Sequence, residues 1–344
     1  MYFALWFKKM NLNKKKFLVC GAGGFIGGHL VKDLLKDGYD VTCVDNKPFK
    51  YWFQYFKECK NYSLDLKNYD NCLKITQGIN YIFNMACNMG GMGFIENNKT
   101  DCMLSVLINT NLLRSSARNT VERYFFSSSA CVYNDLKQSN SYVDGLKESD
   151  AYPAAPEDGY GWEKLFSERM CRHFKEDFNI ETRVARYHNV YGPMGTYDGG
   201  REKAPAALCR KVIKAKLNLE NTIEVWGDGL QTRSFMYIDD CIEGTKKLFF
   251  SDYSEPLNIG SEEQVSINEM IKIIENISGS KIKKNYLLDK PLGVRGRSSN
   301  NDLARKKINW DTTISLKDGL TKTYDWIYRD IKKNIKNNKF TSKY

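Results

Sequence analysis

The sequence predicts a doubly wound α/β fold, a mainly parallel sheet covered by helices on both faces, with a second, smaller α/β unit in the carboxyl-terminal half. Three observations lead there. Short apolar runs alternate with helical stretches. The first run passes directly into a glycine-rich turn and a helix. The second half is less regular and richer in turns, such as Trp226-Gly-Asp-Gly229 and Gly293-Val-Arg-Gly296, as befits a unit packed over the carboxyl ends of the sheet strands.

The elements follow in order. Lys16–Cys20 is a short apolar strand, Gly21-Ala-Gly-Gly-Phe-Ile-Gly27 the turn, and 29–36 a helix with Leu30, Val31, Leu34 and Leu35 at helical spacing. Gly38 stops that helix, and a second strand at 40–44 closes at Asp45. Further strands are expected at 81–85, 124–127, 182–186, 223–226 and 256–259, with helices at 100–118 and 160–177 between them. In the second half, 201–217 reads as an amphipathic helix, 266–277 as one capped by Ser266, and 315–335 as a terminal one. The resulting division is a dinucleotide-binding domain over 14–190, rejoined by 234–260. A substrate-binding domain takes 191–233 and 261–335, and basic tails take 1–13 and 336–344.

Of the 344 residues, 42% are hydrophobic, which excludes wholesale disorder, collagen and mucin-like stalks. The net charge of +11 invites a polyanionic partner, but its placement argues against one. Residues 1–16 and 331–344 hold ten lysines and no acid, so of the 52 basic residues 42 remain against 41 acidic ones in between. The excess sits in solvated tails, and no nucleic-acid or membrane partner is expected. No apolar stretch reaches the roughly 20 residues of a membrane helix, and residues 1–7 are too short for a signal-peptide core. The ten cysteines contain no Cys-x-x-Cys pair, so no metal site is expected and a reducing, cytoplasmic setting fits. With only three histidines, acid–base chemistry is expected on other side chains.

Gly21, Gly24 and Gly27, three apart after a strand and opening a helix, form a dinucleotide turn of the Rossmann type. Together with Phe25 and Ile26 they are the expected cofactor contacts, where bare N–H groups and the helix dipole meet a pyrophosphate. Asp45, 18 residues past Gly27, can accept both ribose hydroxyls and would repel a 2′-phosphate, so NAD is the expected cofactor despite Lys47 nearby. Asp65 offers a second polar contact near the adenine, or a helix cap or turn.

Tyr160-Gly-Trp-Glu-Lys164 puts a phenol and an ammonium on one helix face, where the cation favours the phenolate and can reach the nicotinamide ribose. Ser127-Ser-Ser-Ala-Cys131 ends a strand upstream and offers hydroxyls to a substrate oxygen. Glycine turn, serine cluster and Tyr-x-x-x-Lys together resemble the extended short-chain dehydrogenase/reductase family. Four segments, 88–94, 128–133, 199–206 and 226–235, resemble the GDP-mannose 3,5-epimerases among its nucleotide-sugar members. The resemblance runs from about Lys16 to about Ile331. It departs at Cys87-Asn88, where Ala-Asp is usual, and at Tyr197-Asp198, where Trp-Lys is common.

The resemblance implies inversion of C3 and C5 of GDP-mannose through a transient 4-keto sugar. Tyr160, assisted by Lys164 and Ser129, would take the C4 hydroxyl proton while NAD accepts hydride. Cys131 would remove the C5 and C3 protons and Lys203 deliver one from the other face, both with pKa values drawn toward neutrality. Asn189, Glu202, Lys203 and Ala204 would contact the sugar, with Gly90 and Gly91 letting backbone lie close to it, although a loop amide at Asn189 and a flexible glycine turn remain alternatives. For the diphosphate of the GDP-sugar the candidates are Gln231-Thr-Arg233, Lys211, and Arg295 or Arg297. The family implies a homodimer built through a helix bundle. Another GDP-sugar such as a heptose, a 4,6-dehydratase reaction and a non-catalytic NAD module are the alternatives.

Overall fold

The structure, a computed structural model, describes residues 15–218 and 220–336. Its large sheet is formed by β1 (Lys16–Cys20), β2 (Asp40–Asp45), β3 (Lys60–Ser63), β4 (Tyr81–Asn84), β5 (Arg123–Ser129), β6 (Glu181–Tyr187) and, late in the chain, β10 (Leu257–Ile259). All pair in parallel in the order β10-β6-β5-β4-β1-β2-β3. The order reverses between β1 and β4, and the crevice at that switch point is where such sheets bind ligands.

Helices cover both faces because the strands are apolar on both. On one face α1 (Phe25–Lys36) packs with α8 (Ile238–Phe250), burying Leu30, Val31, Leu34 and Phe249 over Phe17 and Phe83. On the other lie α2 (Tyr69–Ile75), α5 (Val106–Arg118) and α6 (Tyr160–Phe178), over Leu18, Ile82, Tyr124 and Phe126. The short helices α3 (Met92–Asn97) and α4 (Lys99–Met103) lead into α5. The helix expected at 100–118 is broken between α4 and α5, and the Ser105 hydroxyl at the break accepts the Asn88 N–H at 2.9 Å. That bond anchors the glycine loop after β4, which a continuous helix would not do.

The chain leaves the large sheet through β7 (Asn189–Tyr191) and then builds α7 (Ala204–Asn218), β8 (Thr222–Trp226) and β9 (Thr232–Tyr237). Strand β9 is the centre of a small sheet with β7, β11 (Gln264–Ser266) and β13 (Gly296–Arg297). Strand β8 pairs in parallel with β12 (Lys283–Leu287), apart from the large sheet. Helix α9 (Ile267–Ser278) begins at Ser266, whose hydroxyl accepts the Glu269 N–H at 3.1 Å while Glu269 accepts the Ser266 N–H at 2.7 Å. Helices α10 (Asp302–Ile308) and α11 (Leu316–Lys336) complete the chain. Ile331 is buried on α11, so the helix carries Lys332 and Lys333. The basic tails expected at 1–13 and 336–344 lie outside the described residues, apart from Lys336 at the end of α11.

A buried ion pair ties α6 to the sheet. Arg186 on β6 donates to both oxygens of Glu168, at 3.0 and 2.8 Å, with each side chain 3% exposed. Ser128 on β5 adds a third bond to Glu168 at 2.5 Å. Glu168→Ala strands the guanidinium without its partner, and the unfolding free energy in urea should fall by about 3–5 kcal/mol. A loss below about 1 kcal/mol would show that the pair carries little.

Candidate active site

The glycine turn follows β1 at the switch point. A Cβ on Gly27 would fall onto the Gly21 carbonyl oxygen, so only glycine lets α1 approach the strand this closely. No side chain caps α1 at Gly24, which leaves the first N–H groups of a 12-residue helix for an anion. Phe25 and Ile26 form its first turn. Asp45 is buried at the end of β2 with Oδ1 on the Lys47 N–H at 3.0 Å, while the Lys47 ammonium is turned to the Gly23 carbonyl at 2.8 Å. The donor-rich turn and the carboxylate fit a dinucleotide with free ribose hydroxyls. Asp65 sits exposed in the turn after β3, accepting the Lys67 N–H at 2.9 Å.

Beyond the carboxyl end of β5 opens a cavity of about 310 Å³. Ser129, Cys131 and Tyr160 line it from the sheet side, and Lys203 and Ala204 from the start of α7. The loop with Gly90 and Gly91, Asn189 of β7, Glu202, Lys211, Gln231, Arg233 and Arg297 complete the expected residues that it brings together. A Cβ on Gly91 would sit 2.6 Å from the Glu202 carbonyl oxygen, so this glycine lets the two loops touch. Asn189 donates to the Ser234 carbonyl at 3.2 Å, and Glu202 pairs with Arg210 at 3.1 Å.

Arg295 is not brought there. Its guanidinium grips Asp228 with two bonds of 2.9 and 2.8 Å, outside the cavity lining. Arg297 lines the cavity but has partners of its own: Nε donates to Gln138 at 2.5 Å, Nη1 lies 3.6 Å from the Cys131 sulfur, and Nη2 pairs with Glu157. Arg233 donates to the Leu292 and Val294 carbonyls at 3.1 and 2.6 Å, and Lys211 to that of Glu224 at 2.8 Å.

Burial governs the electrostatics. It pushes the Tyr160 phenol well above its ordinary range, reinforced by Cys87, Cys131 and Glu163, and the Ser129 hydroxyl is the group that pulls it back. Lys164 therefore does not by itself favour the phenolate here. Burial alone would lower its own pKa, yet Glu163, 3.3 Å away, raises it, so the ammonium under Tyr160 stays charged. Its nitrogen lies 5.4 Å from the Tyr160 ring centre. Lys203 behaves as expected, lowered by burial. Cys131 does not: burial and Glu157 push its thiol up, against a weaker pull from Arg297.

Residues 17–260 match the family described as NAD dependent epimerase/dehydratase. The chain belongs to that family. NAD is accordingly its cofactor, and the uncapped turn and Asp45 are built for it. The epimerase is 46% identical over 321 residues to GDP-mannose 3,5-epimerase 1 of Oryza sativa subsp. japonica, covering 93% of this chain and 83% of that protein. It is 44% identical to GDP-mannose 3,5-epimerase of Arabidopsis thaliana, covering 92% and 83%. Among solved structures, UDP-glucuronic acid 4-epimerase from Bacillus cereus, in complex with UDP-glucuronic acid and NAD, superposes with a TM-score of 0.78 at 28% identity, covering 91% of this chain and 99% of that one. UDP-glucose 4-epimerase from Thermotoga maritima shares the fold with a TM-score of 0.83 at 23% identity, covering 92% and 99%.

Sequence reasoning missed Glu157 and Gln138, which hold Arg297, and Arg210, which pairs with Glu202. No local pattern marks them, because Glu157 and Arg297 are 140 positions apart. The lowered Lys203 yields a direct test. Its reaction with a small acylating reagent, followed by peptide mass spectrometry across pH, should show a midpoint below that of the exposed lysines. A midpoint equal to theirs would contradict the burial described.

Proposed function

We propose that this chain inverts C3 and C5 of GDP-mannose through a transient 4-keto sugar. The observation that carries the reading is one cavity lined by Tyr160, the Cys131 thiol and the Lys203 ammonium, which has no carboxylate in ion-pair range among the described residues. The similarity to the rice and Arabidopsis enzymes supports the choice of substrate. NAD supplies reversible hydride acceptance at the sugar C4. Tyr160 takes and returns the C4 hydroxyl proton, with the Ser129 hydroxyl stabilising the phenolate and the charged Lys164 lying 5.4 Å from the ring centre. A ketone at C4 acidifies the protons on C3 and C5. Cys131 and Lys203 then exchange protons with those carbons from opposite sides of the ring.

The substrate's diphosphate falls to Arg233 and Lys211. Both spend their hydrogen bonds on backbone carbonyls, which leave their positive charge unneutralised. A 4,6-dehydratase reading is disfavoured because Ala130 and Cys131 occupy the place where that chemistry needs an acid pair. The carboxylate nearest the thiol, Glu157, is already committed to Arg297. We assign the cofactor half to 14–190 with 234–260 and the sugar-nucleotide half to 191–233 with 261–335. Trp162 and Phe166, four residues apart on α6, are both exposed, an apolar stripe suited to a homodimer. All ten cysteines are free, in keeping with a cytoplasmic setting.

The experiment is incubation with a panel of nucleotide sugars in heavy water. GDP-mannose should be converted with deuterium at C3 and C5 and none at C4. Label at C4, or an unlabelled epimer, would overturn the scheme. Cys131→Ala and Lys203→Ala should each lose at least about a hundredfold in turnover, whereas activity retained in both would remove the two-group proposal.

A further inference from the structure

In the stretch 200–203, Gly200, Glu202 and Lys203 line the sugar cavity and Arg201 does not. Its guanidinium turns instead to the loop after β4. Nη1 donates to the Asn88 side-chain oxygen at 2.8 Å and to the Met89 carbonyl at 3.2 Å, and the group lies 3.8 Å from the centre of the Phe94 ring. The Arg201 carbonyl accepts the Gly91 N–H at 3.1 Å, so main chain and side chain are both fixed to that loop.

The loop after β4 starts against the dinucleotide turn. The Met85 N–H donates to the Cys20 carbonyl at 3.0 Å, and a Cβ on Gly21 would come within 2.9 Å of the Ala86 nitrogen. Asn88 follows two residues later. The Lys47 ammonium, 2.8 Å from the Gly23 carbonyl of the same turn, has its pKa lowered first by burial; Asp45 opposes this and the Arg201 charge adds to it. Arg201 therefore stands on the cofactor side of its loop, within electrostatic reach of the glycine turn.

The charge it brings there is not neutralised. Its hydrogen bonds go to an amide oxygen and a carbonyl oxygen, and no carboxylate lies within ion-pair range of it among the described residues. Position 88 is one of the places where the chain departs from the epimerase pattern, and the amide there leaves the guanidinium a charge that a carboxylate would cancel. Nε and Nη2, an edge that can grip a phosphate through two parallel bonds, have no hydrogen-bond partner among the described residues.

We propose that Arg201 is a cofactor-binding residue whose free guanidinium edge takes the pyrophosphate of NAD together with the helix N–H groups of α1. The loop that carries Glu202 and Lys203 to the sugar is then fastened to the cofactor as well, so that binding of NAD orders one wall of the sugar cavity before any sugar arrives.

The test loads the protein with radiolabelled NAD and follows displacement of the label by unlabelled ADP and by adenosine, for the unaltered protein, for Arg201→Gln and for Asn88→Asp. ADP carries a diphosphate and adenosine does not. The ratio of their half-displacing concentrations therefore reports the phosphate contact, and a general loosening of the two loops cancels from it. In Arg201→Gln the advantage of ADP over adenosine should shrink about tenfold. An unchanged advantage overturns the proposal and leaves Arg201 as a brace between two loops. Should Arg201→Gln fail to fold, Asn88→Asp decides, because it keeps the guanidinium and supplies the carboxylate that neutralises it: an advantage reduced by about threefold or more supports the proposal, and an unchanged one overturns it. No nucleotide sugar enters the measurement, so its outcome does not depend on which sugar the protein converts.

Discussion

A guanidinium buried in a protein must find its charges and hydrogen bonds there, and around Arg297 that requirement shapes the whole cavity wall. The residue belongs to the small sheet, yet its partners are Gln138, Glu157 and the Cys131 sulfur, all contributed by the chain between β5 and α6. One side chain thus fastens the small sheet to the turn that carries the thiol. The same loop runs from Glu157 directly into Tyr160, so the position of the phenol depends on the same anchor. With Arg297 only 5% exposed, there is no solvent to take over a lost partner.

The cations near the cavity sort by what holds them. Arg295 has Asp228, Arg210 has Asp198 and Glu202, and Arg297 has Glu157. These carry their counter-charge and act as structure. Lys211 and Arg233 rest on carbonyl oxygens, which orient a cation without neutralising it. Arg233 is drawn down to about 10, chiefly by burial and then by neighbouring Arg297, with Glu157 opposing. At the dinucleotide turn, uncapped helix N–H groups serve the cofactor.

Much of this was legible in the sequence. The glycine spacing, the strand ending at Asp45 and the Tyr160/Lys164 pair are local patterns, and local backbone geometry suffices to place them. Ser266 as a cap was readable for the same reason. Strand β3, Lys-Asn-Tyr-Ser, escaped because it is a largely exposed strand at the sheet edge with no apolar period to reveal it. The break at Ser105 escaped because no glycine or proline marks it; the contact found there, with Asn88, is 17 residues away. Arg295 and Arg297, two residues apart, looked interchangeable in sequence, but Arg295 precedes β13 and is taken by Asp228, so only Arg297 reaches the cavity. The high phenol and thiol follow from burial, which no motif reports.

Helix α6 is committed on every side. Its first turn places Tyr160 and Lys164, its inner stripe of Leu165, Glu168 and Cys171 is locked to the sheet, and its outer stripe presents Trp162 and Phe166. The first half of such a helix has few neutral positions, whereas its second half exposes Arg172, His173 and Glu176 to solvent. Adaptation to a different sugar is therefore channelled away from it, into the loops at 88–91 and 197–203 that border the cavity without anchoring the sheet. The helix that carries Tyr160 and Lys164 stays fixed while the loops around the cavity vary, as sites grafted on one scaffold do.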